Sequence, residues 1–286
     1  MQHLFTFGDL VLDVVATART SLEPDTDTPG EVRSAPGGSA ANFAVWTRRL
    51  GDPVCFATRV GDDLLGRALV ADMRDEGVEV HATRDPVNPT AVLVLFSDGV
   101  QRHMMVPSGA SHFLEPSDLP EERLRSAGWL HLTGYAYFWE ATRRALDRAL
   151  TVAREAGVPI SFDPSSAGFI RRHGLDLPEG IKVLMPNRDE ARALIDRLEP
   201  VPRGWYAGAV GAVLPGGDLQ LWLTIRSLAL QGGTALVRTG AGLVPGSDPA
   251  AEWQECMAKA QRALAAVGAA LPPPEEVMRD HDAIRT

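Results

Sequence analysis

A diglycine followed by a helix-starting sequence is the feature that most constrains the fold of this chain. Gly37 and Gly38 have no side chains, so the backbone can approach a ligand closely there. Ser39 can cap a following helix, and Asn42 would present an amide that both donates and accepts hydrogen bonds from its first turn. The segment predicts a site for a polar small molecule, and a plain tight turn is the alternative interpretation.

Strand and helix patterns alternate after this turn. Apolar Phe43, Trp46 and Leu50 recur at helical spacing, Gly51 stands where a helix would end, and residues 53–60 form a strand candidate. Further strands are predicted at 129–133, 159–162 and 181–185, and further helices at 64–76, 139–156 and 188–198. This alternation predicts an α/β three-layer sandwich with a mainly parallel central sheet, whose ligands gather at the carboxyl ends of the strands.

Length, composition and charge exclude several classes of protein. The 286 residues suffice for one large core, and no apolar run approaches the roughly 20 residues that span a bilayer. The net charge of −9 opposes nucleic-acid binding, and Cys55 and Cys256 are too few for a disulfide framework. The N-terminus lacks a basic leader, so we expect a cytoplasmic protein. Histidines such as His112 lack metal-ligand spacing and are expected at core or surface positions.

The motifs resemble those of one known family. Gly37-Gly38, Asn42, Ala44, Gly51 and Gly61 match the first signature of the ribokinase-like (PfkB) carbohydrate kinases. Further matches follow in order along the first two-thirds of the chain, at Gly8-Asp9 with Asp13, Gly61-Asp62-Asp63 with Gly66, Asp163-Pro164, and Asn187 with Glu190.

The resemblance implies a single ribokinase-like domain over residues 1–286, with a small β-sheet lid built from segments near 13–36 and 88–106. It also implies phosphorylation of a sugar hydroxyl by ATP with Mg²⁺, with K⁺ as a candidate second cation and a homodimer formed through the lid. Ribose, fructose and 2-keto-3-deoxygluconate remain open as acceptors, and a nucleoside kinase of the same superfamily is an alternative. Neither nucleic acid nor membrane is expected as a partner.

The sugar-binding residues are assigned by the same resemblance. Asp13, Gly37, Gly38 and Asn42 are expected to contact the acceptor, with Arg102 on the lid as a further candidate. Carboxylate and amide groups suit sugar hydroxyls because they accept and donate hydrogen bonds. Taken singly, Asp13 could turn a loop and Asn42 could cap its helix.

Nucleotide and metal binding are assigned to a second group of residues. Asn187 and Glu190 lie three apart on a helix's first turn, where they could hold a hydrated Mg²⁺ against nucleotide phosphates, Glu190 acting through water. Asp163 is expected to complete this polar floor. A plain helix cap is the alternative for the Asn187 and Glu190 pair.

The third motif departs from the family. The expected Asp-Thr-x-Gly-Ala-Gly-Asp run supplies an anion hole and a catalytic base. Gly240, Ala241 and Gly242 follow Thr239 here, but Leu243 occupies the position of the base. Loss of a general base costs about 10² to 10⁴ in rate. Asp248 is a weak substitute, because Pro245-Gly246 lies in between.

The surrounding segment, residues 200–250, is atypical as a whole. Between residues 201 and 247 the sole acidic residue is Asp218, although the whole chain is acidic. We hypothesise a compensated frameshift or an internal deletion in this span. A catalytically impaired, sugar-binding remnant of the family is therefore an alternative to an active kinase.

Overall fold

Short apolar strands of the first two-thirds of the chain form a parallel sheet. The computed structural model describes residues 2–20, 25–97, 102–199, 206–213, 219–231, 233–244 and 246–271. The elements up to residue 198 are, in chain order, β1 (Leu4–Phe7), β2 (Val11–Ala18), β3 (Gly30–Gly37), α1 (Ser39–Arg49), β4 (Val54–Gly61), α2 (Leu64–Asp75), β5 (Glu79–Asp85), β6 (Val92–Ser97), β7 (Arg102–Met105), α3 (Glu121–Arg125), β8 (Trp129–Thr133), α4 (Tyr135–Phe138), α5 (Glu140–Ala156), β9 (Ile160–Asp163), α6 (Ala167–His173), β10 (Ile181–Leu184) and α7 (Arg188–Leu198). Two 3-10 turns, Ala110–Phe113 and Pro116–Asp118, precede α3.

The central sheet has six parallel strands in the order β10-β9-β8-β1-β4-β5. Phe5, Phe7, Leu130 and Phe162 on its strands are at most 1% exposed, and apolar clusters pack on it with α5 and with α1 and α2. Burial on both faces is typical of parallel sheets covered by helices. The predicted α/β sandwich with a parallel sheet is confirmed.

A separate four-stranded sheet includes the strand β3, which ends at Gly37 of the diglycine. Its order is β3-β2-β6-β7, with β2 and β6 parallel and the two outer pairs antiparallel. Its strands lie within or next to the predicted lid segments near 13–36 and 88–106. Residues 98–101, which follow β6 and precede β7 in the chain, lie outside the described residues.

Glycines end the helices where the sequence places them. Gly157 follows α5 in the left-handed conformation with φ 70°, and its backbone N–H donates to the Arg154 carbonyl. Gly51 and Gly77 likewise have positive φ after α1 and α2. These stops explain why the predicted helix boundaries agree with the structure to within a residue or two.

The chain divides into two compact units, Met1–Leu194 and Ile195–Thr286. The second contains β11 (Ala209–Val213), β12 (Leu219–Leu223), β13 (Ser227–Gln231), β14 (Thr234–Arg238) and α8 (Pro249–Ala265). Its strands form two antiparallel hairpins, β11 with β12 and β13 with β14, and α8 packs on the second hairpin. The single kinase domain over 1–286 stays a prediction, and the division falls just before the atypical segment 200–250.

Candidate functional site

The diglycine is required by the polar groups beside it. A Cβ at Gly37 would overlap the carboxylate of Asp13 on the neighbouring strand β2. Gly38 has φ 110°, and a Cβ there would overlap the backbone carbonyl of Asp9. Both positions therefore exclude larger residues. At Gly37 the reason is lack of space, and at Gly38 it is lack of space together with the positive φ. Together they let β3 pass into α1 against two carboxylates.

Asp9, and not Ser39, caps helix α1. Its carboxylate accepts hydrogen bonds from the backbone N–H of Ser39 at 2.8 Å and of Ala40 at 3.2 Å. Ser39 is already the first helical residue, so its predicted role as the cap is wrong. A carboxylate at this end of a helix also meets the positive end of the helix dipole. The cap occupies Asp9 and leaves Asp13 available.

A cavity of about 550 Å³ opens beside this turn; we call it the acceptor cavity. Asp9, Asp13, Gly38 and Asn42 are among the residues that line it. Sugar contact by Asp13, Gly38 and Asn42 stays a prediction. Leu93 and Met104 line it from the same four-stranded sheet as Asp13, and Val106 and Pro107 line it from the segment that follows β7. Gly37 lies behind Asp13 and lines a neighbouring, smaller hollow instead.

Asp13 is the polar centre of the acceptor cavity. Burial raises the pKa of its carboxyl above the ordinary value, and the charge of Asp9 adds to the effect. Its Oδ1 atom is buried without a hydrogen-bond partner in the described part of the chain. A ligand hydroxyl that donates to this oxygen would remove the cost of leaving it unpaired.

Two further predicted sugar contacts are Asn42, whose side chain is described, and Arg102, of which the backbone alone is described. Asn42 is an exposed residue of the first turn of α1, and its backbone N–H donates to the Gly38 carbonyl at 2.9 Å. Arg102 begins β7, paired with Ser97 across the lid, and its side chain lies outside the described part of the structure. Its contact with the acceptor stays a prediction.

The rest of the acceptor cavity's lining, which we call the far wall, comes from residues that no motif indicated. Ser111, His112, Thr133, Tyr135 and Trp139 line it, together with Ser165, Ser166 and Phe169. They stand on the 3-10 turn Ala110–Phe113, or in the segments that run from the end of β8 to the start of α5 and from the end of β9 into α6. His112, expected at a core or surface position, is instead part of this wall. The position of several of these residues just after a strand is the signal that could have found them.

The predicted metal pair forms a reciprocal cap on α7. Asn187 donates its backbone N–H to Glu190 Oε2 at 2.9 Å and its Nδ2 to Oε1 at 2.6 Å. Asn187 Oδ1 in turn accepts from the backbone N–H of Glu190 at 3.0 Å. This is the hydrogen-bond pattern of a capping box. Each carboxylate oxygen of Glu190 therefore holds one protein donor.

Charge at this cap nevertheless suits a cation. Glu190 is 4% exposed, and burial raises the pKa of its carboxyl, with the Asp163 charge adding to it against the Asn187 hydrogen bonds. Burial likewise raises the pKa of Asp163, opposed by the Ser165 backbone N–H. Two buried carboxylates with raised pKa values suit a hydrated Mg²⁺, because a bound cation would favour the ionised form of both.

Tyr135 lies within electrostatic range of Asp9 and of the pair Asp163 and Glu190. Burial raises the pKa of its hydroxyl, and the charges of Asp9, Glu190 and Asp163 add to the effect. The same residue lines the acceptor cavity. The acceptor cavity and the acidic pair are therefore neighbours at the carboxyl ends of the central strands.

The predicted anion hole lies in the second unit. Gly240, Ala241 and Gly242 occupy the loop between β14 and α8, and α8 begins only at Pro249, capped by Asp248 through the Ala250 N–H at 3.1 Å. Helix amides therefore do not converge on these glycines. Asp248 is engaged as a cap, and the role of the loop as an anion hole stays a prediction.

The loop is held by its own unit. Lys259 donates from Nζ to the Gly240 carbonyl at 3.0 Å, and Thr239 donates from Oγ1 to the Cys256 carbonyl at 3.0 Å. A Cβ at Gly240 would overlap the Tyr206 hydroxyl. Leu243 is 74% exposed.

Residues 1–202 match the model of the pfkB family of carbohydrate kinases. Residues 187–265 match a second model, described as a chorismate binding enzyme. Fructokinase-1 of Oryza sativa subsp. japonica is 32% identical over 195 residues, which are 66% of this chain and 55% of that protein. Fructokinase of Escherichia coli is 36% identical over 166 residues, which are 57% and 50% of the two chains. The chain therefore matches about half the length of these relatives.

Solved structures share the fold at lower identity. An adenosine kinase from Sinorhizobium meliloti has a TM-score of 0.61 and 20% identity, covering 85% of this chain and 81% of its own. A structure of the ribokinase II type from E. coli, in complex with ATP and Mg²⁺, has a TM-score of 0.59 and 19% identity, covering 99% and 91%. No helix among the residues that the structure describes could cross a membrane.

Proposed function

Because the chain belongs to the pfkB family of carbohydrate kinases, we propose that it binds a sugar in the acceptor cavity and transfers a phosphoryl group from ATP to one of its hydroxyls. The observation that carries the proposal is the buried, unpartnered Oδ1 of Asp13 beside Gly38 and Asn42 in one cavity. A sugar hydroxyl is the complementary donor. The fructokinase relatives make a hexose or pentose the first acceptor to test.

Within this proposal, the first unit positions the acceptor. The carboxylate of Asp13 accepts from one hydroxyl, and the Asn42 amide can donate to or accept from another at the mouth of the cavity. The lid strands supply apolar cover through Met104 and Val106, which reduces the access of water to the reacting hydroxyl. Binding of this kind converts the reaction from an encounter into an intramolecular step.

Asp163, Asn187 and Glu190 are the proposed site for Mg²⁺ and the phosphates of ATP. Mg²⁺ would supply charge neutralisation at the phosphoryl oxygens. The chain's own contribution is to hold Glu190 rigidly through Asn187 next to Asp163. A water-mediated contact suits Glu190, since both of its oxygens already accept from Asn187. K⁺ binding and a dimer through the lid rest on the family resemblance alone, and a cytoplasmic location stays a prediction.

A second candidate function is sugar binding without phosphoryl transfer. The observation in its favour is the second family match, at residues 187–265, which includes the loop with Gly240, Gly242 and Leu243. We propose that this segment derives from the other family, so that the loop is not a kinase anion hole. A shifted reading frame would not produce a match to a protein family, which argues against the frameshift hypothesis. The antiparallel hairpins of the second unit accord with a segment of different origin.

Two measurements on the full chain separate the candidates. Calorimetric titration with D-fructose and D-ribose reports binding, and a coupled assay of ADP release with Mg²⁺-ATP reports transfer. Sugar binding with sugar-dependent ADP release supports the kinase, and sugar binding without ADP release supports the second candidate. Absence of sugar binding would overturn both.

A third measurement tests the loop itself. A Cβ at Gly242 meets nothing within 4 Å, so Gly242→Ala should leave the second unit folded. If the loop is an anion hole, this variant lowers ADP release while sugar affinity stays unchanged. If the segment has another origin, neither quantity changes.

A further inference from the structure

The far wall of the acceptor cavity contains a stacked pair of rings. His112 stands on the 3-10 turn that follows the lid, and Trp139 is the residue before α5. Their rings stack with centroids 4.1 Å apart and an angle of 19° between the planes. The pair therefore ties the end of the lid to the body of the first unit.

Both rings keep a polar atom without a partner. His112 Nδ1 and Trp139 Nε1 are buried and make no hydrogen bond in the described part of the chain. Ser111 Oγ and Thr133 Oγ1, on the same wall, are in the same condition. Buried polar atoms are nearly always paired in folded proteins, and each unpaired one costs stability. Four such atoms on one wall indicate a ligand with several hydrogen-bonding groups.

The charge of the wall limits which ligand this is. The charged side chains among the described residues that line the acceptor cavity are Asp9 and Asp13, and no lysine or arginine is among them. Burial lowers the pKa of His112, with the Asp9 charge opposing it, so the imidazole is neutral at physiological pH. Among the described residues that line the cavity, a ligand carboxylate would face two negative charges without a compensating cation. A ligand hydroxyl both donates and accepts hydrogen bonds. Hydroxyl groups can therefore pair with the imidazole nitrogen, with the indole N–H and with the hydroxyls of Ser111 and Thr133.

We propose that His112 and Trp139 determine acceptor specificity by binding sugar hydroxyls other than the one that Asp13 holds, so that the acceptor cavity selects an uncharged polyol and rejects sugar acids. This inference rests on the proposed sugar-binding function but holds for either candidate, with or without phosphoryl transfer. It separates fructose and ribose from 2-keto-3-deoxygluconate, which the sequence leaves equally open.

The test is calorimetric titration of the full chain with D-fructose, D-ribose and 2-keto-3-deoxygluconate. Trp139→Phe keeps a ring against His112 but removes the N–H, and His112→Phe keeps the stack but removes both nitrogens. We expect each to raise the dissociation constant for the neutral sugar about three- to tenfold, the range for one lost hydrogen bond. His112→Asn, which keeps polar atoms near the position of Nδ1, should bind more tightly than His112→Phe. Trp253 on α8 is 51% exposed and does not line the acceptor cavity, so Trp253→Phe is the matched control and should bind as the parent does.

The outcomes are distinct for the inference and for the function beneath it. A neutral sugar that binds the parent and both phenylalanine variants equally overturns this inference and leaves sugar binding standing. Tighter binding of 2-keto-3-deoxygluconate than of either neutral sugar also overturns it, and its loss in Arg102→Ala would identify the cation responsible. If none of the three sugars binds the parent, the inference and the proposed function fall together. Circular dichroism of each variant establishes that it is folded.

Discussion

The carboxylate of Asp13 lies over Gly37, so close that a Cβ at residue 37 would overlap it. Asp13 pairs with Ala35 across the antiparallel strands β2 and β3, two positions along the strands from the pair of Val11 with Gly37. The missing side chain of Gly37 is thus the space into which the carboxylate turns. The glycine and the acid form one structural feature.

Gly37→Ala is expected to displace Asp13 and abolish sugar binding. The methyl group can be accommodated only if the carboxylate rotates or β3 moves, and overpacking of this kind costs about 1–3 kcal/mol. Calorimetry with D-fructose and urea denaturation measure the two effects. Gly168→Ala, in α6 with no neighbour closer than 3.8 Å, is the control and should be as stable as the parent or more so. Wild-type sugar affinity in Gly37→Ala would contradict the assignment of Asp13.

The sequence predicts the parallel sheet well because its signals are local. Strand 129–133 and helix 188–198 are found with the predicted bounds, since each is a periodic run with a clear stop. A parallel strand that is buried on both faces is a short apolar run in the sequence. Such a run can be recognised without knowing which strands pair with it. Gly38 and Asn42, which line the acceptor cavity, could be proposed for a similar reason, because they are close together in the chain.

The far wall was not predictable, because its residues meet only through tertiary structure. His112 and Trp139 are 27 positions apart by their numbers and share no motif. Asp9 caps a helix that begins 30 residues later, and a serine at the helix start offered a local alternative that the structure does not use. Contacts set by the lid and by strand order leave no periodic trace in the sequence.

Asp9→Ala should destabilise the first unit without removing a sugar-binding group. Two backbone N–H groups at the start of α1 would lose their acceptor, and loss of a helix cap costs about 1 kcal/mol. Urea denaturation followed by circular dichroism measures the loss. Asp62→Ala removes a carboxylate that is 53% exposed, and its stability should match that of the parent. Equal stability of the two variants would show that Asp9 is not the cap in solution.

Sugar affinity should fall as the pH is lowered through the pKa of Asp13. That pKa lies above the ordinary value of 3.8, because burial and then the Asp9 charge disfavour ionisation. The ionised carboxylate accepts hydrogen bonds from sugar hydroxyls on both oxygens, and protonation removes part of that capacity. Calorimetry across a pH series measures the effect, and Asp13→Asn should bind weakly with little dependence on pH in this range.

The same raised pKa of Asp13 has the opposite effect on the stability of the sugar-free protein, which should rise and not fall as the pH is lowered. An acid that binds its proton more tightly when folded makes the protein more stable as the pH falls through the interval between 3.8 and the raised value. Asp13 therefore costs stability at neutral pH, and Asp13→Asn should be at least as stable as the parent there. A large loss of stability in Asp13→Asn would contradict the description of its oxygen as unpartnered.

Asp85 is expected to be the main source of acid sensitivity in the first unit. It is 3% exposed; burial alone would raise its pKa, but the backbone N–H groups of Asn88 and Val87 and the Arg59 guanidinium at 2.9 Å hold the pKa well below its usual range. A lowered acid pKa gives stability that is present above the unfolded value and is lost as the pH falls below it. Asp85→Asn leaves Arg59 with only Asp118 and should cost about 3 kcal/mol at pH 7. Urea denaturation should show that the difference from the parent is still largely present at pH 4 and narrows at about pH 2.5, below the unfolded pKa of 3.8.

Glu190→Gln separates the cap on α7 from the proposed metal site. A glutamine keeps an acceptor for the Asn187 backbone N–H, so the helix start should survive, but the charge beside Asp163 is lost. Affinity for Mg²⁺ with a non-hydrolysable ATP analogue should fall about tenfold or more, the range for groups that act on a metal through water. Sugar affinity should be unchanged, and Asp189→Asn, whose side chain is 67% exposed, is the matched control. Because binding of the analogue needs no turnover, the result stands for either candidate function, and unchanged Mg²⁺ dependence in Glu190→Gln would reduce the motif to a helix cap.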